Sequence, residues 1–281
     1  MNCCVKFAFI SLFIITTAAT GLAEKAFAGF IIEQVSYDKK DSTRKKGKIF
    51  IKENKIKFVE EQNGQGVAIF DLNTGEMTQI DNEGKRYVVA SPEDYFKFVQ
   101  DITNKMKTEL ENQLSKLPPE QRAQAEEMMK SQGVTLPGQD SKARNLTLKK
   151  TDLSEAIGGY KSRKYEIYED GKLSEEIWIS DDIGFGSELD MKKMADYMSE
   201  IKKVSEKTGA GQSNLDEEER IFKEVYQSGF PTRSVDYSSE GKVYIEEIVK
   251  VNKADISDGE FQPPAGYKKV TLQEMIQPDR Q

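Results

Sequence analysis

From Gly29 to Ala90, apolar and polar residues alternate in short runs, and Asn, Asp, Gly or charged clusters interrupt them every roughly 8–12 residues. A helix needs apolar positions three or four apart, so this stretch is read as strands. Six are predicted. GFIIEQVSY is followed by a charged loop, DKKDSTRKKG; KIFIKE and KIKFVEE are divided by Asn54; VAIFDL and EMTQID flank an Asn73-Gly75 turn; KRYVVA follows Asn82-Glu83-Gly84. Successive strand side chains point to opposite faces, so alternation pairs Ile49 with Ile51, Ile56 with Phe58, Val67 with Ile69 and Tyr87 with Val89. These eight residues are expected to form the apolar face of the sheet.

After Ala90 the period changes. Ser91-Pro92-Glu93-Asp94 has the form of a capping box with proline at the first helical position. Tyr95, Val99, Ile102, Met106, Leu110, Leu114 and Leu117 then recur in steps of three or four, the stripe of one long helix. Pro118-Pro119 ends it, and EQRAQAEEMMK restarts a second helix with Met128 and Met129. SQGVTLPGQDSKAR reads as a linker. Strands resume in LTLKK, YKSRKYEIY and LSEEIWIS, the last two joined at Asp170-Gly171.

A second helical section is expected to open with a capping box from Ser187 to Asp190, its stripe being Met191, Met194, Met198, Ile201 and Val204. TGAGQS reads as a hinge, and a further helix carries Leu215, Phe222, Val225 and Tyr226 up to Gly229. FPTRSVDYSSEGKVYIEEIVKVN closes as a hairpin around Glu240-Gly241. Near the end, FQPPAGYKKV places two prolines and a glycine after the last strand. Proline cannot donate to a ladder, so pairing stops there and the segment pins the chain end against the sheet margin.

These elements predict an α+β fold, a curved antiparallel sheet forming an incomplete barrel, with two helical insertions packed on it. The expected organisation is a signal peptide over 1–28, one sheet domain over 29–270 with insertions at about 92–131 and 187–228, and a tail over 271–281. The leader is read from Lys6, the apolar run Phe7 to Leu22, and the small-residue site Ala26-Phe27-Ala28, with cleavage after Ala28. An uncleaved anchor is the alternative, but a run of about sixteen residues falls short of the roughly 20 that span a bilayer. Both cysteines, Cys3 and Cys4, lie in the leader. A secreted or periplasmic chain without disulfides must then rely on an ordinary core.

Composition narrows the chemistry. With no histidine and no cysteine beyond the leader, Ser-His-Asp and Cys-His catalysis and imidazole or thiolate metal sites are excluded, and no cofactor is expected. A net charge of −7 offers no footprint for nucleic acid. Asp71-Leu72-Asn73-Thr74-Gly75-Glu76 sets oxygen atoms at alternate positions but lacks the length of a calcium loop, and reads as a hairpin turn. The adjacent pairs Glu175-Glu176 and Glu246-Glu247 point to opposite strand faces and cannot converge on one substrate, which argues against a carboxylate hydrolase.

KIFIKENKIKFVEE, LSKLPPEQRAQAEEMM, EAIGGYKSRKYEIYEDGKLSEEIWIS and FQPPAGYKKV together resemble the bacterial family labelled domain of unknown function 4412. That family resembles, more distantly, the LolA/LolB-like periplasmic lipoprotein carriers. The resemblance implies an incomplete barrel around helices, with an apolar hollow that takes acyl chains. On it rests the expectation of a non-enzymatic protein binding a lipid or other hydrophobic ligand. Candidate ligand residues are Ile49, Ile51, Ile56, Phe58, Val67, Ile69, Tyr87, Val89, Trp178, Met191, Met194 and Met198. Packed core is the competing use of each. An envelope interaction module using the 92–131 arm is the second reading. The basic run Lys39, Lys40, Arg44, Lys45 and Lys46 is the candidate contact for an anionic membrane or an acidic partner.

Overall fold

The structure, a computed structural model, describes residues 28–41, 43–60, 66–131, 145–207, 215–237 and 242–276. The expected leader through residue 27, the linker over 132–144, the 208–213 hinge, the Glu240-Gly241 turn and residues 277–281 of the tail lie outside them. So do the side chains of Met129, Ile201, Val204 and Leu215 from the predicted helical stripes.

Six strands come first: β1 (Phe30–Asp38), β2 (Lys45–Lys52), β3 (Lys55–Glu60), β4 (Gly66–Asp71), β5 (Glu76–Asp81) and β6 (Arg86–Ala90). Helices α1 (Pro92–Ser115) and α2 (Pro119–Ser131) follow, then β7 (Leu146–Ile157), β8 (Tyr160–Glu169) and β9 (Lys172–Ser180). After α3 (Met191–Lys207) and α4 (Leu215–Gln227) come β10 (Phe230–Asp236), β11 (Tyr244–Lys253), a 3-10 turn (Asp258–Phe261), β12 (Lys268–Lys269) and α5 (Leu272–Ile276). The strands form one sheet in the order β12-β6-β5-β4-β3-β2-β1-β11-β10-β9-β8-β7. Only β12 and β6 run parallel. The two ends do not meet, so the sheet is a curved, open, antiparallel one with helices laid against it.

Local chemistry explains the ladder. Three hairpins turn on pairs with positive φ: Glu53-Asn54, Gly158-Gly159 and Asp170-Gly171. Such turns match the right-handed twist of the strands they join. Pro231 sits beside a register shift in β10, where a missing N–H is tolerated. The displaced residue, Thr232, is buried, its hydroxyl 2.7 Å from Ser162 Oγ and 3.0 Å from the Trp178 carbonyl oxygen. Ser91 caps α1 in a reciprocal box with Asp94. The cap of α3 differs from expectation: Asp190 itself accepts from the Lys192 and Lys193 amides at 2.9 and 3.2 Å. Ser187 stands in the preceding turn instead, because Glu188 and Asp190 are tied to Glu53 and Asn54 of the β2–β3 hairpin.

Pairing divides the expected apolar face. Ile49, Ile51, Ile56 and Phe58 point to one side, with Phe70 opposite Ile56 and Ala68 opposite Phe58. Val67 and Ile69 instead pair with Val59 and Lys57, on the other side of β3. Tyr87 and Val89, through Ile80 and Thr78, share that second side. The reason is a second core. Val67, Ile69 and Ile80 pack with Ile256 and Phe261, while Phe50, Tyr87 and Tyr267 border them. The segment after β11 thus folds back over the outer face, fixed by Lys52 to Asp258 at 2.7 Å and Lys57 to Glu260 at 2.8 Å.

FQPPAGYKKV completes that cover. Phe261 is buried, Gly266 takes a positive φ, and the Tyr267 hydroxyl donates to Asn82 Oδ1 at 3.1 Å. Pairing resumes beyond the prolines. The Lys268 and Val270 amides donate to the Lys85 and Tyr87 carbonyls at 2.9 and 2.8 Å. The charged loop after β1 is also shorter than predicted, because Lys45, Lys46 and Gly47 already pair with β1.

Candidate functional site

On the inner side of the sheet two hollows adjoin. The first, about 350 Å³, lies between the inner side chains of β1–β4 and β9–β11 and helices α3 and α4. Ile49, Ile56, Phe58 and Phe70 come from the sheet and Leu72 from the turn after β4; Met194, Tyr197 and Met198 come from α3. The second, about 800 Å³, lies between β3–β5, the start of α1 and the middle of α3. Ala68, Met77 and Gln79 floor it, and Pro92, Tyr95 and Val99 wall it. Both volumes fall in the range of small-molecule sites, roughly 300–1,000 Å³.

Phe58, Phe70, Tyr197 and Met198 line both hollows and so form the partition between them. Phe58 meets Phe70 edge to face at 5.5 Å, and Phe70 meets Tyr197 at 5.7 Å. Aromatic pairs favour that geometry. The Tyr197 hydroxyl is buried and has no hydrogen-bond partner among the described residues. Burial, with the nearby Glu200 charge as a smaller cause, holds it far above the ordinary phenol range, so it stays protonated.

Gln34, Glu175 and Glu246 form the polar end of the first hollow, while Arg233 and Glu247, which border it, pair with each other and with Trp178 on the opposite strand side. Arg233 is already committed. Its guanidinium donates to both Glu155 oxygens at 2.9 and 3.0 Å and to Glu247 at 2.5 Å, and lies 5.6 Å from the Trp178 ring. Burial, helped by the Glu60 charge, pushes the Glu246 carboxyl above the usual range. This end favours neutral or hydrogen-donating groups over anions.

The structure sorts the twelve candidates. Ile49, Ile56, Phe58, Met194 and Met198 line the first hollow, and Phe58 and Met198 also the second. Ile51, Trp178 and Met191 belong to the core packed around it without lining it. Trp178 lies across β9 from Ile177, the side chain that faces the hollow. Val67 borders the second hollow while its side chain packs in the outer core with Ile69. Tyr87 and Val89 belong to the outer side. Tyr197 and Phe70 were missed. Both were findable: Tyr197 is three residues after Met194 on the same helical stripe, and Phe70 is the inward partner of Ile69 in VAIFDL.

The long stripe of α1 is only partly covered. Leu114 is buried, but Met106 is 67% exposed, and Met128 on α2 is 61% exposed. The basic run is split between a turn and a strand: Lys39 and Lys40 stand in the turn, Lys45 and Lys46 in β2. Arg44 lies 4.8 Å from the Tyr37 ring. At the Asp71–Glu76 turn, Asp71 Oδ1 accepts from the Asn73 amide at 2.9 Å, as turn chemistry requires. Among the described residues no group of three or more acidic or thiol side chains could hold a metal, and no helix is long and apolar enough to cross a membrane.

A family model, Domain of unknown function (DUF4412), matches residues 100–267. No curated protein matches the chain. Among solved structures, a chain of the Pseudomonas aeruginosa MucA/MucB complex aligns over 87% of this chain and 58% of its own length, at 8% identity and a TM-score of 0.37. MucB crystallised by itself aligns over 86% and 59%, at 9% identity and a TM-score of 0.36. A LolA superfamily protein from Nitrosomonas europaea aligns over 84% and 91%, at 8% identity and a TM-score of 0.29. The chain spans less than two thirds of the length of the MucA/MucB and MucB chains it matches.

Proposed function

The chain belongs to the family described as domain of unknown function DUF4412, and from that premise we propose that it is a non-enzymatic, secreted or periplasmic protein that holds a lipid or another hydrophobic ligand between its sheet and its helices. The observation that supports this reading is the second hollow, of about 800 Å³, floored and walled by Phe58, Ala68, Phe70, Met77, Tyr95 and Met198. A hollow of this size with mostly apolar walls suits a ligand that sheds its own apolar surface on entry, at about 25 cal/mol per Å² buried. Two methionines add adaptable walls. The composition, without histidine, supports the non-enzymatic part, and the leader-like first 28 residues support the location.

Native mass spectrometry of protein isolated from its own envelope tests the proposal. A mass excess that organic extraction removes and a fatty-acyl probe restores is the expected outcome. Protein that is always empty and takes up no probe contradicts it. The exposure of Met106 and Met128 favours a second reading, a docking arm for another envelope protein. Replacing both with Glu would then abolish a co-purifying partner and leave ligand uptake unchanged.

A further inference from the structure

The chain carries a net charge of −7, yet one hairpin concentrates the opposite sign. Between β1 and β2, Lys39, Lys40, Arg44, Lys45 and Lys46 are all exposed. Pairing sorts them. Arg44 and Lys46 alternate along the outer side of β2, Lys46 opposite Val35 and Arg44 lying 4.8 Å from the Tyr37 ring. Lys48 continues that row, opposite Glu33 and Val59. Lys45, opposite Ser36, faces the inner side. Lys39 and Lys40 form the tip. The Lys39 amide donates to the Val243 carbonyl at 2.8 Å, which brings the exposed Lys242 to the same end of the sheet. The two carboxylates of the tip are spent on its own backbone: Asp38 accepts from the Lys40 amide and Asp41 from the Thr43 amide, both at 2.9 Å. These bonds hold the turn in one shape. Glu247, on the outer side opposite Val35, is taken by Arg233.

We infer that the tip and outer side of the β1–β2 hairpin dock on an anionic lipid bilayer, with Lys39, Lys40, Arg44 and Lys46 among the headgroup phosphates and the Tyr37 ring at the interfacial level. This surface does not rest on the lipid-binding reading of the hollows. Three of the four cations are lysines, hydrated point charges on flexible stems. Such groups suit a fluid field of anionic headgroups, whereas a fixed carboxylate pattern on a protein is matched better by the rigid fork of arginine. Each basic residue near an anionic membrane strengthens binding by about five-fold.

The test is co-sedimentation with vesicles of phosphatidylcholine alone and of phosphatidylcholine mixed with phosphatidylglycerol, at low and high salt, for proteins isolated from their own envelope. The hairpin variant combines Lys39→Gln, Lys40→Gln, Arg44→Gln and Lys46→Gln. A control variant combines Lys105→Gln, Lys116→Gln, Lys161→Gln and Lys172→Gln, exposed lysines elsewhere, and so removes the same charge. Wild type and control should bind only the anionic vesicles, and salt should weaken that binding. The hairpin variant should bind at least ten-fold more weakly with an unchanged melting temperature. The tip pair Lys39→Gln and Lys40→Gln, which alters no strand residue, should still lose several-fold. Equal loss in the control, undiminished binding by the hairpin variant, or equal sedimentation of the wild type with neutral vesicles overturns the inference. So does a wild type that ignores anionic vesicles; its retention on immobilised polyglutamate would then assign the hairpin to an acidic protein partner.

Discussion

Phe70 on β4 and Tyr197 on α3 meet edge to face with ring centroids 5.7 Å apart, and this contact ties the inner side of the sheet to the helix above it. Around it, Met194 and Met198 complete a roof whose start is anchored by the β2–β3 hairpin. The Asn54 amide donates to the Glu188 carbonyl at 2.8 Å, and Asn54 Oδ1 accepts from the Asp190 amide at 2.7 Å. The hollow is therefore bounded by elements held at both ends of a short path.

Gly229 joins α4 to β10 with φ +140°, and a Cβ there would run into the Ser180 carbonyl. No side chain can shift to relieve a clash with backbone. Gly229→Ala should lower stability by about 1–3 kcal/mol, the usual strain of such a conformation. Urea unfolding measures it, and an unchanged midpoint would refute the geometry of this turn.

The outer cover is held by burial more than by charge. Phe261→Ala should cost about 3–5 kcal/mol as a buried aromatic is removed from the outer core. Asp258→Asn, at a side chain 85% exposed, should leave the unfolding midpoint where it is. The reverse ranking would mean that the Lys52–Asp258 pair, not the apolar contact, holds the segment down.

Glu246 gives the hollow a pH dependence. Its folded pKa is raised, by burial first and by Glu60 second, so the native state binds its proton more tightly than the unfolded chain does. Its favourable contribution is full below the ordinary glutamate range and is lost as pH rises through the raised value. Because the Glu246 side chain keeps a large accessible area, solvent screens the effect: Glu246→Gln should be only slightly more stable than the wild type at pH 7 and indistinguishable from it at pH 3.5. Thermal melts at the two pH values check this; a variant less stable at pH 7 would contradict it.

The strands were legible because alternation and turn residues agree: Asn54, Gly158-Gly159 and Asp170-Gly171 each mark a hairpin where the ladder reverses. The α1 cap was legible for the same reason, since Ser91 and Asp94 interact locally. Which face each strand presents was not. Val67 and Ile69 alternate as cleanly as Ile56 and Phe58, and only the pairing of β4 with β3 places them on the outer side. That side is apolar because Ile256 and Phe261, some 190 residues later, return to cover it. Tertiary contact likewise moved the α3 cap from Ser187 to Asp190. Tyr197 was passed over because a tyrosine between methionines on a helical stripe reads as core until its hydroxyl is seen to lack a partner.

The most direct measurement fills the larger hollow from its floor. Ala68 faces it from β4, opposite Phe58, and Ala68→Trp places an indole in the open volume. Titration of a fluorescent fatty-acyl probe into wild type and variant, with melting temperatures recorded for both, should show saturable binding by the wild type and at least a ten-fold loss in a variant that remains folded. A folded Ala68→Trp protein that binds the probe as tightly as the wild type would contradict the account.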